Sequence, residues 1–217
     1  RVREAATGTT LRLSLGISDG IAKLAIHRLL QPVLHEPHLR LLCHEGEFQP
    51  LLGELALHKL DAVLADRPAP PNPALKTTSQ LLGTSAIAWY APARWAQAAR
   101  ANFPYSLAQV PLLLPTEHAA VRARINHWLE REHIRPHIAG EFEDSALLST
   151  FAASGMGVMP APASLGAHLA QTCALEWVGT MPDVHEQFHL IYSARKVMHP
   201  LLTRLLAAAA DEMLLNE

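Results

Sequence analysis

Residues 11–16 read LRLSLG, alternating at first and then continuously apolar, a pattern that suits a strand buried inside a domain. Ser18-Asp19-Gly20 follows, and then IAKLAIHRLLQPVL, in which Ile21, Leu24, Ala25, Leu29 and Val33 recur at helical spacing. Ser18 or Asp19 is placed to cap that helix, and Pro32 marks its last turn. Residues 38–43 (HLRLLC) predict a second strand, and 47–58 (EFQPLLGELALH) a second helix with Pro50 tolerated in its first turn. Residues 61–66 (DAVLAD) predict a third strand. Strand-helix-strand-helix-strand in this rhythm leaves few architectures open. Parallel strands need long crossovers, and the helices that make them also cover the sheet.

After a proline-rich surface loop at 67–72 (RPAPPN) and two extended segments within 75–92, the same order begins again. A short helix at 93–101 and a turn at 105–109 lead to a strand at 110–114 (VPLLL). Thr116 is placed to cap a helix over 119–132, whose stripe includes Val121, Ile125, Trp128 and Leu129. A strand at 136–141 is followed by a helix from Asp144, its expected N-cap. Gly155 can take the left-handed position that ends this helix. Gly157 then either brings the backbone close to a ligand or allows tight helix–strand packing. A strand at 157–159 is expected to stop at Pro160 and Pro162. Late strands at 175–178 and 188–193 and an amphipathic helix at 199–214 close the chain. The 217 residues, 49% of them hydrophobic, suffice for one large core or two small ones. The reading is α/β, with two units in tandem.

Several classes drop out. A net charge of −2 with no Lys/Arg cluster gives no nucleic-acid footprint. No run of about 18 uncharged apolar residues is present to span a bilayer. Cys43 and Cys173 fit no metal spacing and no disulfide framework, which points to a reducing, cytoplasmic compartment. Nucleophile-elbow, phosphate-loop, His-Glu-x-x-His and Cys-x-x-Cys motifs are absent, so neither catalysis nor a cofactor is expected. The 13 histidines are scattered, either as surface imidazoles or as a source of pH sensitivity. The opening RVREAATG has no initiator Met and no signal-peptide core, so a fragment cut from a longer protein within a linker is expected.

Four segments resemble the effector-binding domain of LysR-type transcriptional regulators: LRLSLGISDGIAKLAIHRLLQPVL, GELALHKLDAVLAD, SALLSTFAASGMGVMPAP and FHLIYSARKVMHPLLTRLL. Together they cover nearly the whole chain. Ser-Asp-Gly after the first strand, LALHKLD (55–61) and GEFEDSAL (140–147) further resemble the NhaR branch, which activates sodium/proton antiporter genes in response to sodium. The resemblance implies two Rossmann-like lobes of the type 2 periplasmic-binding-protein fold with an effector between them. It implies a linker remnant at 1–10, a first lobe of 11–84 and 188–217, and a second of 85–187, with crossings near 83–88 and 184–190. It also implies dimers formed through these domains, tetramers of the full-length protein, no membrane, and a DNA-binding winged helix-turn-helix lying upstream; residues 21–34, apolar on more than one side, belong either to the dimer surface or to the core alone. A solute-binding protein for uptake, which shares the fold, is the alternative.

In open α/β sheets ligands bind beyond the carboxyl ends of the strands, near helix N-termini. The effector-binding residues expected on that basis are Ser18, Asp19, Gly20, Asp66, Thr84, Ser85, Thr116, Glu117, His118, Phe142, Asp144, Gly157 and Pro160, with Ala65, Glu143 and Ala161 beside them. His118 is expected in the first turn of its helix, where it could couple binding to pH. Arg67 is the one basic residue near these ends, so the carboxylates either cap helices or face a small-molecule or monovalent-cation effector. The candidate cation contacts are Asp19, Asp66, Glu117 and Asp144.

Overall fold

A computed structural model of the chain describes residues 9–194 and 197–215. Most of the expected linker remnant at 1–10 lies outside the described residues. The first unit follows the expected order: β1 (Leu11–Ser18), α1 (Lys23–Leu34), β2 (Leu39–Gly46), α2 (Phe48–Ala56) and β3 (Ala62–Ala65). β1 is parallel to both β2 and β3. Then come β4 (Thr77–Ala91), α3 (Ala93–Arg100), β5 (Pro111–Pro115), α4 (Ala120–Arg131), β6 (His137–Phe142), α5 (Ser145–Ala153), β7 (Met159–Pro162), α6 (Gly166–Cys173), β8 (Glu176–Ser193) and α7 (Pro200–Leu215).

The two extended segments expected within 75–92 are one 15-residue strand, and the two late strands are one of 18 residues. β4 and β8 run antiparallel through both halves, so the six-stranded sheet, ordered β2-β1-β3-β8-β4-β7, is continuous instead of broken by loops. It turns where the register jumps: Ala86 faces His185, but the next residue, Ile87, faces Met181. Such irregularities bend a ladder and sharpen its twist. Before the jump β4 and β8 serve the sheet of β1–β3; beyond it they meet β7. The parallel pair β5–β6 flanks β7 through a bridge from Leu112 to Val158.

Each side of the bend has its own core. Leu13, Leu15, Leu64 and Leu190 pack with Leu201 and Leu205 of α7, so the closing helix returns to the first unit. Beyond the bend, Leu112, Leu114, Ile125 and Trp128 surround Trp89, whose ring centroid lies 6.4 Å from that of Trp128. Both indoles are buried, and each contributes about 3 kcal/mol or more.

Helix starts depart from expectation in an instructive way. α1 begins at Lys23 with Ala22 as a bare N-cap, so neither Ser18 nor Asp19 caps it: Ser18 ends β1, and Asp19 sits with Gly20, at φ +90, in a turn. α4 begins at Ala120, and Thr116 does not cap it: its hydroxyl is buried without a hydrogen-bond partner among the described residues. Asp144 does cap α5, accepting from the N–H groups of Ala146 and Leu147. Gly155 at φ +100 follows that helix. Pro160 and Pro162 do not stop a strand but lie within β7, tolerated because β7 is the sheet's last strand.

Candidate functional site

Beyond the carboxyl ends of β1 and β3 the two lobes meet. Gly20 lies so close to Ala119 that an added Cβ would stand 2.8 Å from that residue's Cβ. The N-terminus of α4 is capped from the opposite lobe. Asp66, only 1% exposed, accepts the Ala120 N–H at 2.7 Å and the Arg67 Nε–H at 3.0 Å. Arg67 stacks over Phe48 and donates from Nη2 to the His118 carbonyl at 2.6 Å. No local pattern announces a cap supplied from 54 positions away.

Two further cations from α1 tie the rims. Lys23 Nζ lies 2.7 Å from Glu45 and 3.3 Å from Asp144, and these hydrogen bonds, Glu45's first, hold its ammonium above the usual lysine range. Arg28 donates to the Ser164 carbonyl at 2.7 Å. Between these ties lies a cleft of about 160 Å³. Gly20, Ala22, Lys23 and Leu24 line it from one side, and Val121, Phe142, Leu148, Pro160 and Leu169 from the other. Ile87 and Glu186 line it from the long strands themselves. A mostly apolar concavity with a few polar groups is the usual form of a small-molecule site.

The expected site residues divide in this frame. Gly20, Phe142 and Pro160 line the cleft, together with Glu143 and Ala161. Ser18 is buried, its hydroxyl without a hydrogen-bond partner among the described residues. Asp66 and Asp144 cap helices and pair with cations. Thr84 is exposed, and Ser85 bonds the Ala86 carbonyl and Ser164. Glu117 is exposed, away from the cleft lining. Gly157 is not on the cleft wall. A Cβ there would stand 2.6 Å from the Pro111 carbonyl oxygen, so close strand packing accounts for this glycine.

His118 stands in the turn before α4, not in its first turn, with Nδ1 3.5 Å from Glu143 and 4.0 Å from Asp19. Asp19, His118 and Glu143 present ligand atoms within 4.8 Å of one another. Burial, and then the neighbouring Glu143 carboxylate, raise the Asp19 acid above its ordinary range.

Glu186 is the residue that the strand-end rule misses. It is 3% exposed, lines the cleft, and its carboxyl has no hydrogen bond among the described residues. Burial pushes its acid up to about 8; the nearby Asp66 carboxylate adds to this and Arg124 opposes it. A signal did exist in the sequence. Val184, Glu186, Phe188 and Leu190 share one strand face, and Glu186 is the single charge on it. Nearby, burial and then Arg124 hold the His189 imidazole below its usual range; Nε2 meets Gln187 at 3.1 Å and Nδ1 has no hydrogen-bond partner among the described residues.

The sequence family described as LysR substrate binding domain matches residues 6–214. The transcriptional activator NhaR of Escherichia coli (strain K12) is 24% identical over 200 residues, covering 91% of this chain and 65% of that protein. The nitrogen assimilation regulatory protein Nac of Klebsiella aerogenes is 30% identical over 220 residues, covering 96% of this chain and 67% of its own. The chain thus spans about two thirds of the length of these relatives. Among solved structures, the reduced regulatory domain of OxyR2 from Vibrio vulnificus superposes with a TM-score of 0.71 at 17% identity, covering 95% of this chain and 99% of that one. The regulatory domain of CcmR from Synechocystis PCC6803, in complex with 2-PG, gives 0.69 at 14%, covering 91% and 97%. These likenesses establish the fold: two α/β lobes of the type 2 periplasmic-binding-protein kind with a cleft between them.

Proposed function

This chain belongs to the LysR substrate-binding domain family, and on that premise we propose that it is the effector-sensing part of a transcriptional regulator. A small ligand enters between the lobes, closure is stabilised by the contacts it makes with both, and the change passes to a DNA-binding domain outside this chain. We take residues 11–84 and 188–217 as one lobe and 85–187 as the other, hinged where the β4–β8 register jumps. The reading places the protein in the cytoplasm, without catalysis, as a homodimer through these domains and a tetramer at full length.

The observation that carries it is the cleft itself, lined from both lobes and already bridged by Asp66 to the first amide of α4. A ligand that strengthens this closed arrangement has differential affinity for it, the one requirement for shifting a population. Ala146 lines the cleft and is exposed, so Ala146→Trp fills the space without disturbing a core. Compounds that raise the melting temperature of the chain should lose that effect in Ala146→Trp. Stabilisation by the same compounds to the same extent in the variant contradicts the site.

The sodium-linked reading draws support from Asp19, which faces Glu143 and His118 across the lobes with its acid held above normal. Of the four cation contacts expected, Asp66 and Asp144 are committed elsewhere and Glu117 stands apart. Sodium or lithium should then raise the melting temperature over equal potassium, and Asp19→Asn should erase the difference. Equal curves in all three salts contradict this reading and leave the small-molecule reading standing.

A further inference from the structure

We propose that the interlobe cleft selects a small apolar molecule carrying an ammonium group, which it holds at Glu186, and rejects carboxylate ligands. The inference rests on the reading of the cleft as the effector site. Glu186 is a buried carboxyl at the cleft floor with no hydrogen bond among the described residues. Such a group is costly to keep unless something else completes it. Two other carboxylates at the lobe junction are engaged, Asp66 with Ala120 and Arg67, and Asp144 with its own helix and Lys23, while Asp19 and Glu143 face the His118 imidazole.

The anion-binding devices are spent in the same way. Asp66 fills the N-terminus of α4, and Asp144 fills that of α5. Lys23, the one lysine or arginine among the described lining residues, is held between Glu45 and Asp144. Arg124, on α4 near Glu186, donates from Nη1 to the His185 carbonyl at 2.7 Å. A carboxylate ligand would therefore meet the Glu143 carboxylate and the field of the nearby Asp66 carboxylate, with no lysine or arginine among the described lining residues left unpaired to receive it. The apolar walls and the volume of about 160 Å³ suit a single ring with a short chain.

The proton follows from the surroundings. The groups facing Glu186 are the Asp66 carboxylate after β3 and the Arg124 guanidinium on α4, and His189 on β8 lies near the same two. Lys23, Glu143 and His168 line the remaining wall. In the empty cleft at neutral pH, Glu186 is mostly protonated, since burial pushes its acid up to about 8. When an ammonium docks, the carboxyl O–H bond breaks, the proton leaves to solvent, and N–H···O⁻ hydrogen bonds form. Binding thus releases up to one proton, and affinity rises with pH towards 8 and then levels.

The test uses the 217-residue chain and three probes of one shape: phenethylamine, 3-phenylpropionate and 2-phenylethanol. Calorimetric titrations in two buffers of different ionisation enthalpy count the protons. The amine should bind about 10- to 100-fold more tightly than the alcohol, with proton release, and the acid should not bind. In Glu186→Gln the amine should lose that advantage while the alcohol is unchanged. If the acid binds as well as the amine and Ala146→Trp blocks both, the charge preference is overturned and the cleft survives. If no probe binds in a manner that Ala146→Trp blocks, the cleft reading and this inference fall together. Amine binding without proton release, or unaffected by Glu186→Gln, overturns the role of Glu186.

Discussion

Two carboxyl groups at the lobe junction share burial and little else. Asp66 is 1% exposed and fully occupied, joining the end of β3 to α4 in the opposite lobe. Glu186 is 3% exposed and has no such partner among the described residues. Asp66 is compensated by an amide and a guanidinium; Glu186 is driven towards its neutral form. The rim at Asp66 is built to hold two lobes together, whereas the floor at Glu186 leaves a polar group to be completed. The contrast can be broken or sharpened by substitution.

The largest effect belongs to Asp66. Asp66→Ala leaves the Ala120 amide and the Arg67 guanidinium without their buried acceptor, a loss of about 3 kcal/mol. For a domain of this size the melting temperature should fall by roughly 10 °C in calorimetry. A fall under about 2 °C means that this rim is not a bridge.

Glu186 comes next, with the opposite sign. Its folded acid, raised to about 8 from 4.5, keeps a proton that the unfolded chain has released, so its stabilising effect is complete below the unfolded value and fades as pH rises through 8. Glu186→Gln should therefore stabilise the chain by roughly 4 °C or more at pH 9 and by almost nothing at about pH 4, below the unfolded value. A shift of equal size at both pH values means that the carboxyl does not titrate in this window.

Smaller effects mark the periphery of the same comparison. Asp144→Ala removes the cap of α5 and should cost about 1 kcal/mol, or roughly 3 °C. Lys23→Met breaks ion pairs whose side chains are about half exposed, so its cost should stay below about 1 kcal/mol and shrink in 1 M salt. A loss that 1 M salt leaves unchanged would show that the aliphatic stem, not the charge, holds the rim.

How much of this was legible in the sequence depends on the range of the interaction. The tandem α/β order was readable because strand and helix periods are local, and so was the cap at Asp144, two and three residues from the amides it serves. The continuity of β4 and β8 was not, because Gly83 and Pro182 look like breaks, while the ladder absorbs them in register shifts. The strand-end rule found Gly20, Phe142 and Pro160 on the cleft, but it could not foresee that Asp66 would cap α4 in place of Thr116. That exchange depends on how the lobes meet. Gly157 was open to two readings, and the Pro111 carbonyl decides for packing. Glu186 was visible as a charge on an apolar strand face, but its burial becomes meaningful only when α4 and the β3 end are brought over it.

The central claim is that the gap between the lobes is where this chain takes its ligand. Methyl-labelled NMR spectra, recorded while phenethylamine and 2-phenylethanol are titrated in, test it most directly. The account predicts shifts confined to Leu24, Ile87, Val121, Leu148, Leu165 and Leu169, which line that gap. Shifts centred instead on the outer methyls of Leu57, Ile138 and Leu147, with the lining unmoved, contradict it.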